Sequence, residues 1–155
     1  MTATRKQVRK QFGVLLQDLV TDGVVQAVYA YPAADFAGQS PVVTLFSGGT
    51  GREPLGMMGQ RTQRIGYELD VYVFTLYAVV DPETGAPTLW LEDDAADAQD
   101  DIEQAIADII ADHQREVNYW HGIAYRGPTE TDIENIGGQP YLRERIALRF
   151  AEFSG

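Results

Sequence analysis

The sequence predicts an α+β domain: a mainly antiparallel sheet of about five strands with two helices packed on it. Three observations predict this. Segments 4–20 and about 90–113 repeat apolar residues at helical spacing. Segment 64–78 alternates as a strand does. The strands are joined by hairpin-length connections, which favours antiparallel pairing with the helices on one side. The expected order is α-β-β-β-α-β-β, and 155 residues suit a single domain spanning 1–155.

Each element has its own justification. In residues 4–20, Val8, Phe12, Leu15, Leu16 and Leu19 form one apolar stripe, and Asp22-Gly23 stops the helix. Arg5, Lys6, Arg9 and Lys10 in its first turns oppose the helix dipole. That misfit reads either as a frayed, solvated end or as a contact with an acidic partner surface. Val24–Tyr31 is rich in Val and Tyr, as strands are, and Pro32 ends it before a loop over 32–40. Val42–Phe46 is a short strand with Pro41 at its start, where a missing N–H is tolerated.

Residues 47–63 carry five glycines without periodicity and read as a long Gly-rich loop or hairpin arm. Along Arg64–Ala78 the first half is polar on one face and the second half is apolar on both. The first half should therefore be half-exposed, and the second buried or at a subunit contact. At about 3.3 Å per residue this strand would reach roughly 50 Å, so it bends or projects as an arm. Asp81–Gly85 reads as a turn.

In the second helix Leu91, Ala95, Ala98, Ile102, Ala105, Ile106, Ile109 and Ile110 make the buried stripe. Thr88, Asp93 and Asp94 are all possible N-caps. Trp120–Tyr125 is a short strand, 129–140 a polar loop, and Tyr141–Phe150 a closing strand.

Charge is distributed unevenly. The net charge is −11, from 12 Lys+Arg and 23 Asp+Glu. Residues 88–113 hold nine acids and no Lys or Arg, so −11 divides into −9 for that segment and −2 for the rest. Such a chain is ill suited to gripping nucleic-acid backbone or anionic membrane. With no cysteine, disulfides, thiolate metal sites and cysteine catalysis are excluded. No apolar run approaches the ~18 residues that span a bilayer, and no signal-type stretch follows the basic start. The expectation is a soluble protein made in the cytoplasm.

Catalytic patterns are missing from the sequence. Gly51 and Gly56 have phosphate-loop spacing, but Met57 and Met58 stand where Lys and Ser/Thr belong. His113 and His121 lie in no HExxH, and His113 suits a helix C-terminus. None of the three serines sits in Gly-x-Ser-x-Gly. Asp93, Asp97 and Asp101 share a helical face, which reads as a solvated acidic surface rather than a divalent-cation site. Asp81, Glu83 and Glu92 match a calcium loop weakly, because Gly85 is misplaced and Pro82 intrudes. The chain therefore reads as a non-enzyme, with no cofactor and no metal.

Three stretches together carry a family resemblance. The first is the N-terminal helix ending at Asp22-Gly23, with the Val-rich strand and Pro32 behind it. The second is Pro41-Val42-Val43-Thr44-Leu45-Phe46, a Gly-rich loop, and the strand from Ile65 to Phe74. The third is the Asp/Ala-rich helix, Ile123-Ala124-Tyr125-Arg126-Gly127-Pro128-Thr129, and Ile136-Gly137-Gly138-Gln139-Pro140-Tyr141. In this order the chain resembles the tail terminator (tail completion, neck) proteins of long-tailed bacteriophages.

The resemblance implies a homo-oligomer, a hexameric ring that caps the tail tube and joins tail to head in the virion neck. Its implied partners are the tail tube protein and a head-closure or connector protein, with genomic DNA passing through the lumen. It implies no catalytic residues. Beside it stand a head-closure, adaptor or minor tail protein of the same region, a small metal- or ligand-binding domain using the acidic helix, and an acidic DNA mimic.

A ring needs a heterologous interface. The candidate interface residues are the basic Arg5, Lys6, Arg9 and Lys10, the acidic Asp97 and Asp101, and the loop residues Arg52, Leu55, Met57, Met58 and Arg61. Leu55, Met57 and Met58 are apolar in an otherwise polar loop, and either meet a partner or fold back on their own core.

Overall fold

A computed structural model of the protein describes residues 3–54 and 63–154. In chain order its elements are α1 (Arg5–Thr21), β1 (Ala27–Tyr29), β2 (Val42–Pro54), β3 (Gln63–Leu76), β4 (Ala78–Val80), β5 (Pro87–Trp90), α2 (Glu92–Asp112), β6 (Gly122–Tyr125), β7 (Glu130–Ile136) and β8 (Gln139–Ser154). The α+β class is as the sequence predicts, and the order α-β-β-β-α-β-β is present with β4, β5 and β7 added to it. One sheet runs β1-β2-β3-β8-β6, with β7 also on β8; β4 and β5 form a separate hairpin. All pairs are antiparallel except β1 with β2.

The α1 stripe does what its spacing requires: Val8, Phe12, Leu16 and Leu19 are buried. Its first turn is not frayed. Thr4 Oγ1 accepts from the Gln7 backbone N–H at 3.2 Å, and Gln7 Oε1 accepts from the Thr4 N–H at 2.8 Å. This reciprocal capping box offsets the misfit of the nearby cations with the dipole. In α2 the buried stripe is Ala95, Gln99, Ile102, Ile106 and Ile110. Its N-cap is Leu91, with no side-chain cap bond, so none of Thr88, Asp93 and Asp94 serves there. Thr88 Oγ1 instead donates to Val79 O across the β4–β5 hairpin. Three acids in the first turn, Glu92, Asp93 and Asp94, meet the dipole in place of a cap.

Cross-strand partners point to the same face, so the register assigns each residue a side. Val43, Val73 and Glu144 fall in one row, and Leu45, Val71 and Ile146 in the next. These belong to the face under the two helices. An aromatic trio closes its core: Phe12 lies 5.1 Å from Phe150 and 6.2 Å from Trp120, and Trp120 lies 4.9 Å from Phe150. The trio joins α1, β8 and the segment after α2. Trp120 is thus a core anchor rather than part of the strand, and its indole N–H donates to His113 O at 2.8 Å.

The opposite face is divided. Over the second half of β3, residues 32–40 fold back so that Phe36 packs against Phe74 at 4.9 Å and Tyr141 at 5.4 Å. That half is buried on both faces, as its apolar pattern requires. Over the first half, Glu68 and Asp70 lie among arginines of β8 and beyond, and these cover the strand, so Gly66 and Asp70 are buried where the sequence predicts a half-exposed face.

Three further expectations are corrected. Residues 129–140 are not a loop: β7 pairs with β8 from Glu130↔Arg145 to Ile136↔Gln139. Gly137 and Gly138, both at positive φ, make the two-residue turn between them. The signal was missed because β7 reads ETDIENI, and its acids find their partners on β8 rather than in a strand-like composition. Residues 47–54 are also strand, with an irregularity in register between Ser47 and Thr50. Finally, the Val24–Tyr31 strand shrinks to three residues.

Candidate functional site

The candidate interface residues fall in three places: the root of an arm, one stripe of α1 and one face of α2. The arm is the antiparallel pair β2–β3, whose last described partners are Pro54 and Gln63. On the other side of β3, β8 keeps pairing to Gln63↔Ser154, so three strands run into the arm together. Arg52, Glu53 and Pro54 are exposed. Leu55, Met57, Met58 and Arg61 lie outside the described residues.

The arm's root is braced by α1. Arg5 donates to Gly48 O at 3.0 Å and to Thr50 Oγ1 at 3.3 Å, and Arg9 donates to Ser47 Oγ at 3.0 Å. These contacts hold the segment where the β2–β3 register shifts, and they satisfy a carbonyl on the free edge of β2. Tyr67 adds a tie, its hydroxyl donating to Ala3 O at 2.7 Å. Burial, which the cations of Arg52 and Arg5 oppose, pushes that phenol's pKa up. The Arg149 guanidinium lies across Gly66, so a side chain at that position would displace it. The four basic residues of α1 are thus split: Arg5 and Arg9 turn onto the sheet, while Lys6 and Lys10 are exposed.

On α2, Asp93, Asp97 and Asp101 are all exposed. Among the described residues no group of three or more His, Asp or Glu is arranged to hold a metal ion. Asp81 is used locally, accepting from the Glu83 N–H at 2.9 Å, and Glu92 accepts from the Tyr77 hydroxyl at 3.3 Å. His113 caps the C-terminus of α2 and its Nδ1 lies 3.2 Å from Glu116. His121 Nδ1 lies 3.1 Å from the buried Glu152. Among the described residues no helix is long and apolar enough to cross a membrane.

Two features went unread in the sequence. The first is a lattice of ion pairs on the sheet face away from the helices. Arg126 pairs with Asp70 and Glu68, and Arg145 with Asp70 and Glu130. Arg143 makes a forked contact with Asp132, at 2.8 and 2.5 Å, and reaches Glu134 at 3.5 Å. Its guanidinium also lies over the Tyr72 ring, 5.5 Å from the centroid. The hydrogen bonds from Arg143 hold the Asp132 carboxyl below its ordinary pKa. The signal was present as Arg143 and Arg145, two residues apart, but their acidic partners lie on β3 and β7, which only the register brings alongside.

The second is Glu144, buried on the helix side. Its Oε2 accepts from Thr129 Oγ1 at 2.6 Å. Burial raises its pKa, the Thr129 hydrogen bond opposes that, and the nearby Glu103 and Asp100 of α2 raise it further. Beside it Gln99 is also buried, accepting from Thr75 Oγ1 at 2.6 Å and donating to Val73 O at 3.2 Å.

The geometry offers paired charge, a braced arm and an acidic helix. No protein-family model matches the chain, and no curated protein matches its sequence.

Proposed function

We propose that this protein is a structural subunit of the neck of a long-tailed bacteriophage, a tail terminator whose ring caps the tail tube and joins tail to head. The observation that carries the reading is the braced arm. Three strands run together past the start of α1, and two arginines of α1 hold the root. A strand pair fixed in this way can present its exposed end at Arg52, Glu53 and Pro54 to a neighbour or to the tube at little entropic cost on binding. The distribution of charge supports oriented, head-to-tail association. In this role the partners are further copies of the chain, the tail tube protein and a head-closure or connector protein. DNA would cross the lumen without sequence-specific contact.

Electron microscopy and light scattering of the protein, alone and with tail tubes, test the reading. Six-membered rings seated on tube ends are expected. A monomer under every condition, with tube ends left uncapped, overturns it. Capture by portal or connector protein and not by tube would assign the chain to head closure instead.

A further inference from the structure

The helix layer does not cover the whole of its side of the sheet. Beyond α2 the sheet continues into β6 and β7, and two apolar side chains there are exposed: Tyr125 at 47% and Ile133 at 54%. Their register partners, Leu148 and Leu142, place both on the helix side. Gln99 of α2 is bonded to Thr75 and Val73, whose β8 partners are Leu142 and Glu144, so the flank of α2 that carries Asp100 and Glu103 forms the wall of this strip. Both carboxylates act on the buried Glu144 at its floor, and Glu103 also acts on the Tyr125 hydroxyl. The strip is therefore apolar along its edge and acidic along its wall.

A surface of opposite character lies elsewhere on the same chain. With Arg5 and Arg9 turned onto β2, Lys6 and Lys10 stand exposed one helical turn apart. Val14, one turn further, is 60% exposed. Residues at i, i+4 and i+8 share a helix face, so two cations and a valine form one solvent stripe. Among the described residues, no ion pair within 4.0 Å involves Lys6, Lys10, Asp100 or Glu103. The two surfaces are different patches of one chain, so their contact is heterologous and propagates from copy to copy, as a ring requires.

We infer that the strip between α2 and β7 receives the Lys6–Lys10–Val14 stripe of α1 from a second copy of this chain. The lysines meet Asp100 and Glu103, and the valine meets the apolar edge at Tyr125 and Ile133. The helix layer then continues from one copy to the next. This rests on the reading of the protein as a self-assembling ring subunit, and it names the two surfaces that would join.

The cysteine-free chain allows a direct test. Full-length Lys10→Cys and Asp100→Cys proteins, both altered at exposed positions, are mixed in equal amounts and oxidised, with and without tail tubes. The expected product is the mixed disulfide dimer, well in excess of either homodimer and reduced several-fold in 0.5 M salt, where charges are screened within a few ångströms. A chain carrying both substitutions should give a covalent ladder. Mixed dimer at no more than the statistical share overturns the contact. As a second arm, Lys6→Glu/Lys10→Glu and Asp100→Lys/Glu103→Lys should each weaken assembly, and mixing the two should restore it; no restoration counts against the pairing. The two readings fail separately. Wild-type rings without the mixed disulfide keep the neck role and discard this contact. The mixed disulfide without capped tubes keeps the contact and discards the neck role.

Discussion

The two faces of the sheet are held in different ways. Under the helices, apolar side chains from α1, α2 and four strands form one continuous core that includes the Phe12, Trp120 and Phe150 trio. On the other face, a small cluster around Phe36 covers half the sheet, and ion pairs cover the rest. The first arrangement supplies most of the stability, because apolar burial is worth about 25 cal/mol per Å2 and is not screened by salt. The second supplies order and identity: its exposed pairs are each worth about 0–1 kcal/mol, and the buried Asp70 needs Arg126 and Arg145 mainly to offset its own desolvation. Substitutions that separate these contributions should therefore differ in size and in salt dependence.

The largest effect is expected at Phe12. Phe12→Ala removes the ring common to both Trp120 and Phe150 contacts and leaves a cavity, at a cost of about 4–5 kcal/mol. Denaturant unfolding should show the whole domain lose stability in one transition. Phe36→Ala should cost less, about 3 kcal/mol, because the ring sits in a smaller cluster beneath a loop. The comparison is sharpened by where the loss appears. Hydrogen exchange should rise over residues 32–40 and the ends of β2 and β3 while the amides of α2 stay protected. If both variants unfold the molecule uniformly, the two faces are one cooperative unit.

Glu144→Gln tests the polar exception on the helix side and should stabilise. The folded pKa of Glu144 lies above its unfolded value, so the protonated form favours the fold. Stability is therefore present below the ordinary glutamate pKa and is lost as pH rises through the raised value. Glutamine keeps an acceptor for Thr129 and removes the charge near Asp100 and Glu103. The variant should melt higher than wild type at pH 7 and equal to it near pH 4. An unchanged or lower melting temperature at pH 7 would mean that the carboxylate is better accommodated than its surroundings indicate.

Much of this contrast was legible in the sequence on the helix side and little of it on the other. The α1 and α2 stripes and the alternation of β3 each satisfy a local period, so single segments report them. Even the burial of β3 on both faces could be read from its apolar second half. The braced arm was half visible, because Gly48 and Gly49 mask a strand that tertiary contacts from Arg5 and Arg9 stabilise. The β7 strand was invisible, since its acids look like loop until β8 sets Arg143 and Arg145 opposite them. Gln99 hid in an apolar stripe for a similar reason: its partners, Thr75 and Val73, are more than twenty residues away. Likewise, the strip beyond α2 exists only because Tyr125 and Ile133 lie where no helix reaches, which depends on the register of three strands.

The smallest expected effect separates the lattice from the core most clearly. Arg143 and Asp132 lie directly opposite one another on β8 and β7, with the guanidinium also over Tyr72. The geometry is forked and well aligned, which favours the upper end of the range for an exposed pair. Asp132 is half exposed, however, so water and salt compete for it. A double-mutant cycle of Arg143→Ala and Asp132→Ala should give a coupling of about 0.5–1 kcal/mol at low salt, falling towards zero in 1 M salt. Arg143→Ala alone should cost more than the coupling, because its stem and its contact with Tyr72 go as well. The sign with pH follows from the lowered Asp132 pKa: the pair stabilises above the ordinary aspartate pKa and is lost as pH falls through the lower folded value. A coupling that salt leaves unchanged would mean that β7 is held by packing, and the division between an apolar face and a charged one would then stop short of this edge.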